Sequence, residues 1–82
     1  MTRYYFDLRD GDDLAVDEEG VELRDIATVQ EEAARSLADV ARDAVRRPEY
    51  LSGKNHRMAI EVRDQAGPVL QVKFTFEVAR QN

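Results

Sequence analysis

Cysteine is absent from this 82-residue chain, and histidine occurs once, as His56. Without cysteine there are no disulfides, no thiol nucleophile and no thiolate zinc site. Long apolar runs are missing too: none approaches the about 20 residues that span a bilayer as a helix. The opening residues, 1–7, lack the apolar stretch and small-residue cleavage site of a secretory signal. No internal repeat or low-complexity tract is present. These absences predict one domain over residues 1–82, with no membrane association and a cytoplasmic location.

What is present is alternation. Tyr4, Phe6 and Leu8 alternate with Arg3, Tyr5, Asp7 and Arg9, and Leu70, Val72, Phe74, Phe76 and Val78 alternate with Gln71, Lys73, Thr75 and Glu77. Successive strand residues point to opposite faces, so both runs read as strands with one buried and one wet side. Residues 3–9 form the first predicted strand, and the Asp10-Gly11-Asp12-Asp13 turn leads into a second at 14–17. Beyond Glu18-Glu19-Gly20 the apolar side chains shift to odd positions, Val21 and Leu23, which predicts a bulge or second turn at Gly20. Residues 56–64 form the third strand, with Met58, Ile60 and Val62 inward, and Gln65-Ala66-Gly67-Pro68 turns into a fourth at 69–78.

Between these hairpins lies one helix. Thr28 and Glu31 have capping-box spacing, and Asp25 is a rival cap one turn earlier. Val29, Ala33, Leu37, Val40 and Ala44 recur at helical spacing and predict the buried stripe. Arg46 and Arg47 suit the negative end of the dipole, and Pro48 stops the helix. Glu31–Arg35, Asp39–Arg42 and Asp43–Arg47 read as pairs on the wet side, worth about 0.2–0.5 kcal/mol each. Tyr50 and Leu51 are expected beneath the helix end.

The predicted fold class is therefore α+β: a β-β-α-β-β two-layer sandwich, with an antiparallel four-stranded sheet and one helix on its even-numbered face. Strands one and four are expected at the centre. The fourth strand, about 33 Å long against about 23 Å for the first, leaves an end at Phe76 and Val78 that a second subunit would cover. A homodimer is the expected assembly, and the helix alanines (Ala33, Ala34, Ala38, Ala41, Ala44) permit close packing.

Charge is uneven. The chain carries −5 overall, with −8 in residues 1–32 and +3 in residues 33–82. Acids gather in the turns and near the helix start, where they are stable.

Two blocks, Arg3-Tyr4-Tyr5-Phe6-Asp7-Leu8-Arg9-Asp10-Gly11 and Asp17-Glu18-Glu19-Gly20-Val21-Glu22-Leu23, resemble the opening of a family of short, uncharacterised alphaproteobacterial proteins. Ala59-Ile60-Glu61-Val62-Arg63-Asp64, Gly67-Pro68-Val69-Leu70 and Phe74-Thr75-Phe76-Glu77-Val78 are similar to that family's closing hairpin. The resemblance covers nearly the whole chain. It implies no activity and transfers no site residue, because the family is known only as a domain of unknown function. A looser likeness is to antitoxin domains of the HicB kind, carried by the N-terminal hairpin, the acidic turn and Thr28, Glu31, Glu32 and Ala33 at the helix start. The proline-glycine segment before the helix and a following DNA-binding module are missing, so this is a likeness of fold alone.

Catalytic chemistry finds little support. Ser36 and Ser52 carry no mark of a nucleophile beside His56, and the many carboxylates lack a pocket to separate their pKa values. No cofactor is expected and no catalytic residue is assigned. The turn acids Asp10, Asp12, Asp13, Asp17, Glu18 and Glu19 miss calcium-loop spacing, so no metal ligand is assigned. On the open sheet face Arg3, Arg9, Arg57, Arg63 and Lys73 accompany Tyr5, Asp7, Glu61 and Glu77. Single-stranded nucleic-acid platforms need several stacking aromatics, and only Tyr5 is available there. By elimination the expected function is a non-enzymatic protein-interaction or regulatory module with an unidentified protein partner; the alternatives are a nucleic-acid-binding sheet platform and, after it, an acidic-loop metal-binding protein. It would act through the open face or an exposed edge. Tyr5, Arg9, Arg57 and Arg63 are the nominated surface, with the turn around Asp12, Asp13 and Glu18 second.

Overall fold

A computed structural model describes residues 1–48, 55–79 and 81. Along the chain run β1 (Thr2–Asp10), β2 (Asp13–Ala15), β3 (Val21–Leu23), α1 (Ile26–Ala44), β4 (His56–Asp64) and β5 (Gly67–Phe76). Among the described residues the fold is α+β, with one helix against an antiparallel sheet of five strands rather than four. The additional strand is β3, which lies beyond the interruption at Glu18-Glu19-Gly20 and pairs separately. β2 pairs with the C-terminal half of β1 (Leu8↔Ala15) and β3 with its N-terminal half (Tyr4↔Val21). Three residues of β1, 5–7, thus stand opposite five, residues 16–20. The surplus of two keeps the faces in phase: Ala15, Val21 and Leu23 oppose the even-numbered residues of β1. Leu14, opposite Arg9, therefore lies on the other face and is 42% exposed, and Val16, beyond β2, is 55% exposed. The interruption predicted at Gly20 is the break between β2 and β3, where Gly20 takes φ +69°.

The strand order is β2-β1-β4-β5. β1 and β4 are central; β5, expected at the centre, is an edge. Pro68 fits that placement. It pairs with Arg63 beside a bulge between Val62 and Arg63, and proline is tolerated where no ladder N–H is needed. β5 ends at Phe76 and is one residue longer than β1, so the expected length mismatch is absent, and Val78 lies beyond the strand.

The helix lies across β4 and β5. Val29, Ala33, Leu37 and Ala44 join Tyr4, Met58, Ile60 and Val62 in the buried core, with Phe6, Leu8, Val40, Leu70, Val72 and Phe74 packed around them. This is the predicted inward set, with Ala41 added to the buried face of the helix. The cap is Asp25 rather than Thr28: Asp25 Oδ1 accepts the Thr28 amide at 2.8 Å, and Asp25 O accepts that of Val29 at 3.1 Å. An aspartate in extended conformation one turn earlier starts the helix before the Thr28 box can act. After Ala44 the chain tightens into a turn, with Arg46 and Arg47 amides bonding Asp43 and Ala44 carbonyls. Of the expected helix pairs, Asp39–Arg42 forms at 3.4 Å. Arg35 meets Glu32 instead of Glu31, and Arg47 reaches Asp10 of the first hairpin at 4.0 Å. The expectation for Tyr50 and Leu51, and the candidate Ser52, lie outside the described residues.

Candidate functional site

Tyr5, Arg9, Arg57 and Arg63 all lie on the sheet face opposite the helix, as the alternation predicts, but they do not converge. Arg57 and Arg63 stand six residues apart on β4, about 20 Å at the usual rise. Register pairs Tyr5 with Arg63 at one end and Arg9 with Ala59 towards the other.

Three of the four are engaged within the chain. The Arg63 guanidinium sits over the Tyr5 ring, 4.5 Å from its centroid. Its Nε donates to Asp7 Oδ2 at 2.9 Å, and Nη2 donates to Asp17 O at 3.0 Å. The hydrogen bond to Asp7 raises the Arg63 pKa above its ordinary value, against an opposing effect of desolvation. Arg9 Nε donates to Glu61 Oε2 at 2.7 Å, and that bond and charge raise the Arg9 pKa. The Arg9 and Glu61 side chains are both more than a third exposed, so the pair adds little to stability. Arg57 is exposed.

At the centre of the Arg63 network is Asp7, buried to 6% exposure. Its Oδ1 accepts the Asp17 amide at 2.9 Å. Asp17 in turn gathers amides: Oδ2 accepts from Phe6 at 3.1 Å, and Oδ1 from Glu19 at 3.1 Å and Gly20 at 3.2 Å. Partial burial opposes charge on Asp17, but these amide bonds together with Arg63 outweigh it, and its pKa lies below the ordinary carboxylate value. The two aspartates thus splice the broken edge onto β1 by replacing ladder bonds lost at residues 16–20. Gly20 completes the splice. It has φ +69°, and a Cβ there would meet Tyr4 O at 2.8 Å and the Tyr5 ring at 2.9 Å. Residue spacing alone left Asp7 and Asp17 out. The readable signal was Asp17 three residues before a glycine, the pattern of an aspartate bonding its own turn.

Of the second nominated surface, Asp12, Asp13 and Glu18 are exposed. Among the described residues no three His, Cys, Asp or Glu side chains group as a metal site. A shallow depression of about 270 Å³ lies over Ala59, between Arg9, Arg57, Glu61 and Lys73. On the helix side an apolar groove of about 440 Å³ runs between α1 and β5, lined by Ala34, Leu37, Ala38, Ala41, Val72 and Phe74.

The groove adjoins a free strand edge. Gly11 N–H donates to Arg57 O at 3.0 Å, so the backbone of Arg57 faces β1. Alternation along an antiparallel ladder then turns Met58, Ile60 and Val62 towards β5, where their partners are Phe74, Val72 and Leu70. The amides and carbonyls of Gln71, Lys73 and Thr75 consequently point away from β4, and among the described residues no strand pairs with that edge.

The family model for "Domain of unknown function (DUF6894)" matches residues 3–75. The chain belongs to this family. No curated protein and no solved structure matches it. A DUF6894 domain has no assigned chemistry, so function is unknown. Among the described residues no helix is long and apolar enough to cross a membrane.

Proposed function

We propose that this DUF6894 chain is a non-enzymatic protein-interaction module of the cytoplasm, acting through the β5 edge. One observation carries the reading: the free backbone edge at Gln71, Lys73 and Thr75 runs beside an apolar groove on the helix side. An unpaired edge accepts a strand through main-chain bonds, and neighbouring apolar surface adds affinity. The open face is the weaker candidate, because Tyr5, Arg9 and Arg63 are held by partners within the chain. The likeness to HicB-type antitoxin domains carries no residue into this reading, since Asp25 rather than Thr28 caps the helix.

A second reading rests on Arg9, Arg57 and Lys73 around the Ala59 depression, a cationic patch for nucleic-acid backbone. Among the described residues only one aromatic, Tyr5, shares that face, and Arg63 covers it.

Capture from host lysate, with and without nuclease treatment, separates the two readings: a protein on the β5 edge survives the treatment, whereas material held through nucleic acid on the open face does not. Lys73→Pro removes an edge N–H, whereas Arg57→Glu alters the open face without touching the Asp7 network. Loss of a specific protein with Lys73→Pro and its retention with Arg57→Glu is the expected result, in variants whose melting shows them folded. The reverse pattern moves the site to the open face. Recovery of no specific protein, the host's untagged copy of this chain included, overturns the reading.

A further inference from the structure

The partner that best fits the β5 edge is a second copy of the chain. We infer that two copies pair antiparallel through β5, about a two-fold axis at Val72, to form one continuous ten-stranded sheet. The inference rests on the interaction reading above and names its partner.

Self-pairing is restricted by the strand itself to registers near its middle, and the one centred on Gln71 would set Lys73 opposite Val69 and forgo a polar cross-strand pair. A register centred on Lys73 would set two ammonium groups directly opposite each other, an unfavourable cross-strand pair. Centring on Phe74 would draw residues 77 and 78, beyond the strand end, into the ladder. Centring on Val72 pairs residues 68–76 with 76–68 of the second copy, almost the full length of β5. Leu70 then opposes Phe74, and Val72 opposes itself, all on the helix face. Gln71 opposes Lys73 on the open face. Both Gln71 and Lys73 point their backbone groups outward, so each of the two symmetric pairs exchanges both of its hydrogen bonds.

A lone peptide strand would satisfy the edge but leave the groove above it uncovered. A second copy covers both. The two-fold axis is normal to the sheet, so the helices lie on the same side, and Ala34, Ala38 and Ala41 of each copy face the other across the groove. Their small side chains permit close approach. The chain exposes 6093 Å² for 9.4 kDa, about 1,000 Å² more than a compact monomer of that mass, and is correspondingly long, 52 × 22 × 18 Å.

The test uses the full chain in analytical ultracentrifugation over a concentration series, with amide exchange followed by NMR. The expected result is a reversible dimer in which the amides of Gln71, Lys73 and Thr75 become protected as concentration rises. Gln71→Lys places a lysine opposite Lys73 of the second copy, twice per dimer, and is expected to weaken association on the order of tenfold. Within its own chain that lysine faces Glu61 across the ladder, so folding is not impaired. Gln71→Lys combined with Lys73→Glu restores an attractive pair and the affinity. A chain that stays monomeric at every concentration overturns the inference, as does a dimer that leaves these amides unprotected or ignores Gln71→Lys. A monomeric result leaves the broader interaction reading to the capture experiment, which detects a different protein on the same edge.

Discussion

Asp17 is the residue on which the N-terminal half of the sheet turns. Its two oxygens accept the amides of Phe6, Glu19 and Gly20, donors that have no ladder partner where five residues stand opposite three. Asparagine can accept at one oxygen only, and its NH₂ would face a donor. Asp17→Asn is therefore expected to lower stability by about 1–3 kcal/mol at neutral pH, the range for leaving a shielded donor unpaired. The pH dependence has a definite sign. Amide bonding and Arg63 hold the folded-state pKa of Asp17 below its ordinary value. Its contribution is therefore complete above the unfolded-state pKa of about 3.9 and is lost as pH falls through the lower folded-state value. Urea midpoints measured from neutral pH down to about pH 2 should show the wild-type and Asp17→Asn curves far apart above pH about 4, closing below it. A constant gap across that range would mean that the carboxylate charge is irrelevant to the splice. At this scale the sequence was only partly legible. An aspartate in a turn is a visible signal, but Asp7 and Arg63 are 56 positions apart, and only strand register brings them together.

Elements were easier to read than their ends or their order. Period-two alternation is a local property, and it located β1, β4 and β5 because each turns one side to the core. The helix stripe was legible for the same reason. Its start was not, since Asp25 and Thr28 both offer an N-cap side chain and the choice depends on the conformation of the incoming β3 connection. Asp25, with φ −153° and ψ 167°, takes the extended form that a cap requires, and Thr28 is inside the helix. Its hydrogen bonds with the Thr28 side chain and amide keep the Asp25 pKa below its ordinary value. Asp25→Ala is accordingly expected to destabilise the helix start. Thr28→Ala, which spares the amide bond, should cost less, with both read from urea unfolding at neutral pH. If Thr28→Ala proved the more damaging, the cap would sit where the Thr28–Glu31 spacing places it. Strand order depends on long-range pairing that no local pattern encodes. Even so, Pro68 and the exposed series Gln71, Lys73 and Thr75 were signs of an edge, and they outweigh the apolar side chains that made β5 resemble a central strand.

For the whole molecule, the important balance is between a small core and a large surface. A domain of this length has a net stability of about 4–12 kcal/mol, supplied mainly by one helix seated on central β4 and edge β5. Leu37 stands at the middle of that contact, buried at 7% exposure, and it also lines the groove beside β5. Leu37→Ala removes buried methyl groups and leaves a space that the short alanines around it cannot fill. A loss of about 2–5 kcal/mol is expected, enough to place the variant near its unfolding midpoint. Self-association through β5 would add a second contribution, because a partner that binds only the folded chain raises the unfolding temperature by mass action. Thermal unfolding of Leu37→Ala at increasing protein concentration separates the two. A midpoint that climbs with concentration shows folding coupled to assembly, with the edge supplying stability that the core has lost. A midpoint that stays low and constant would mean that the truncated core cannot hold β5 and the helix in the arrangement the second copy needs, because Leu37 serves both surfaces and its removal weakens them together.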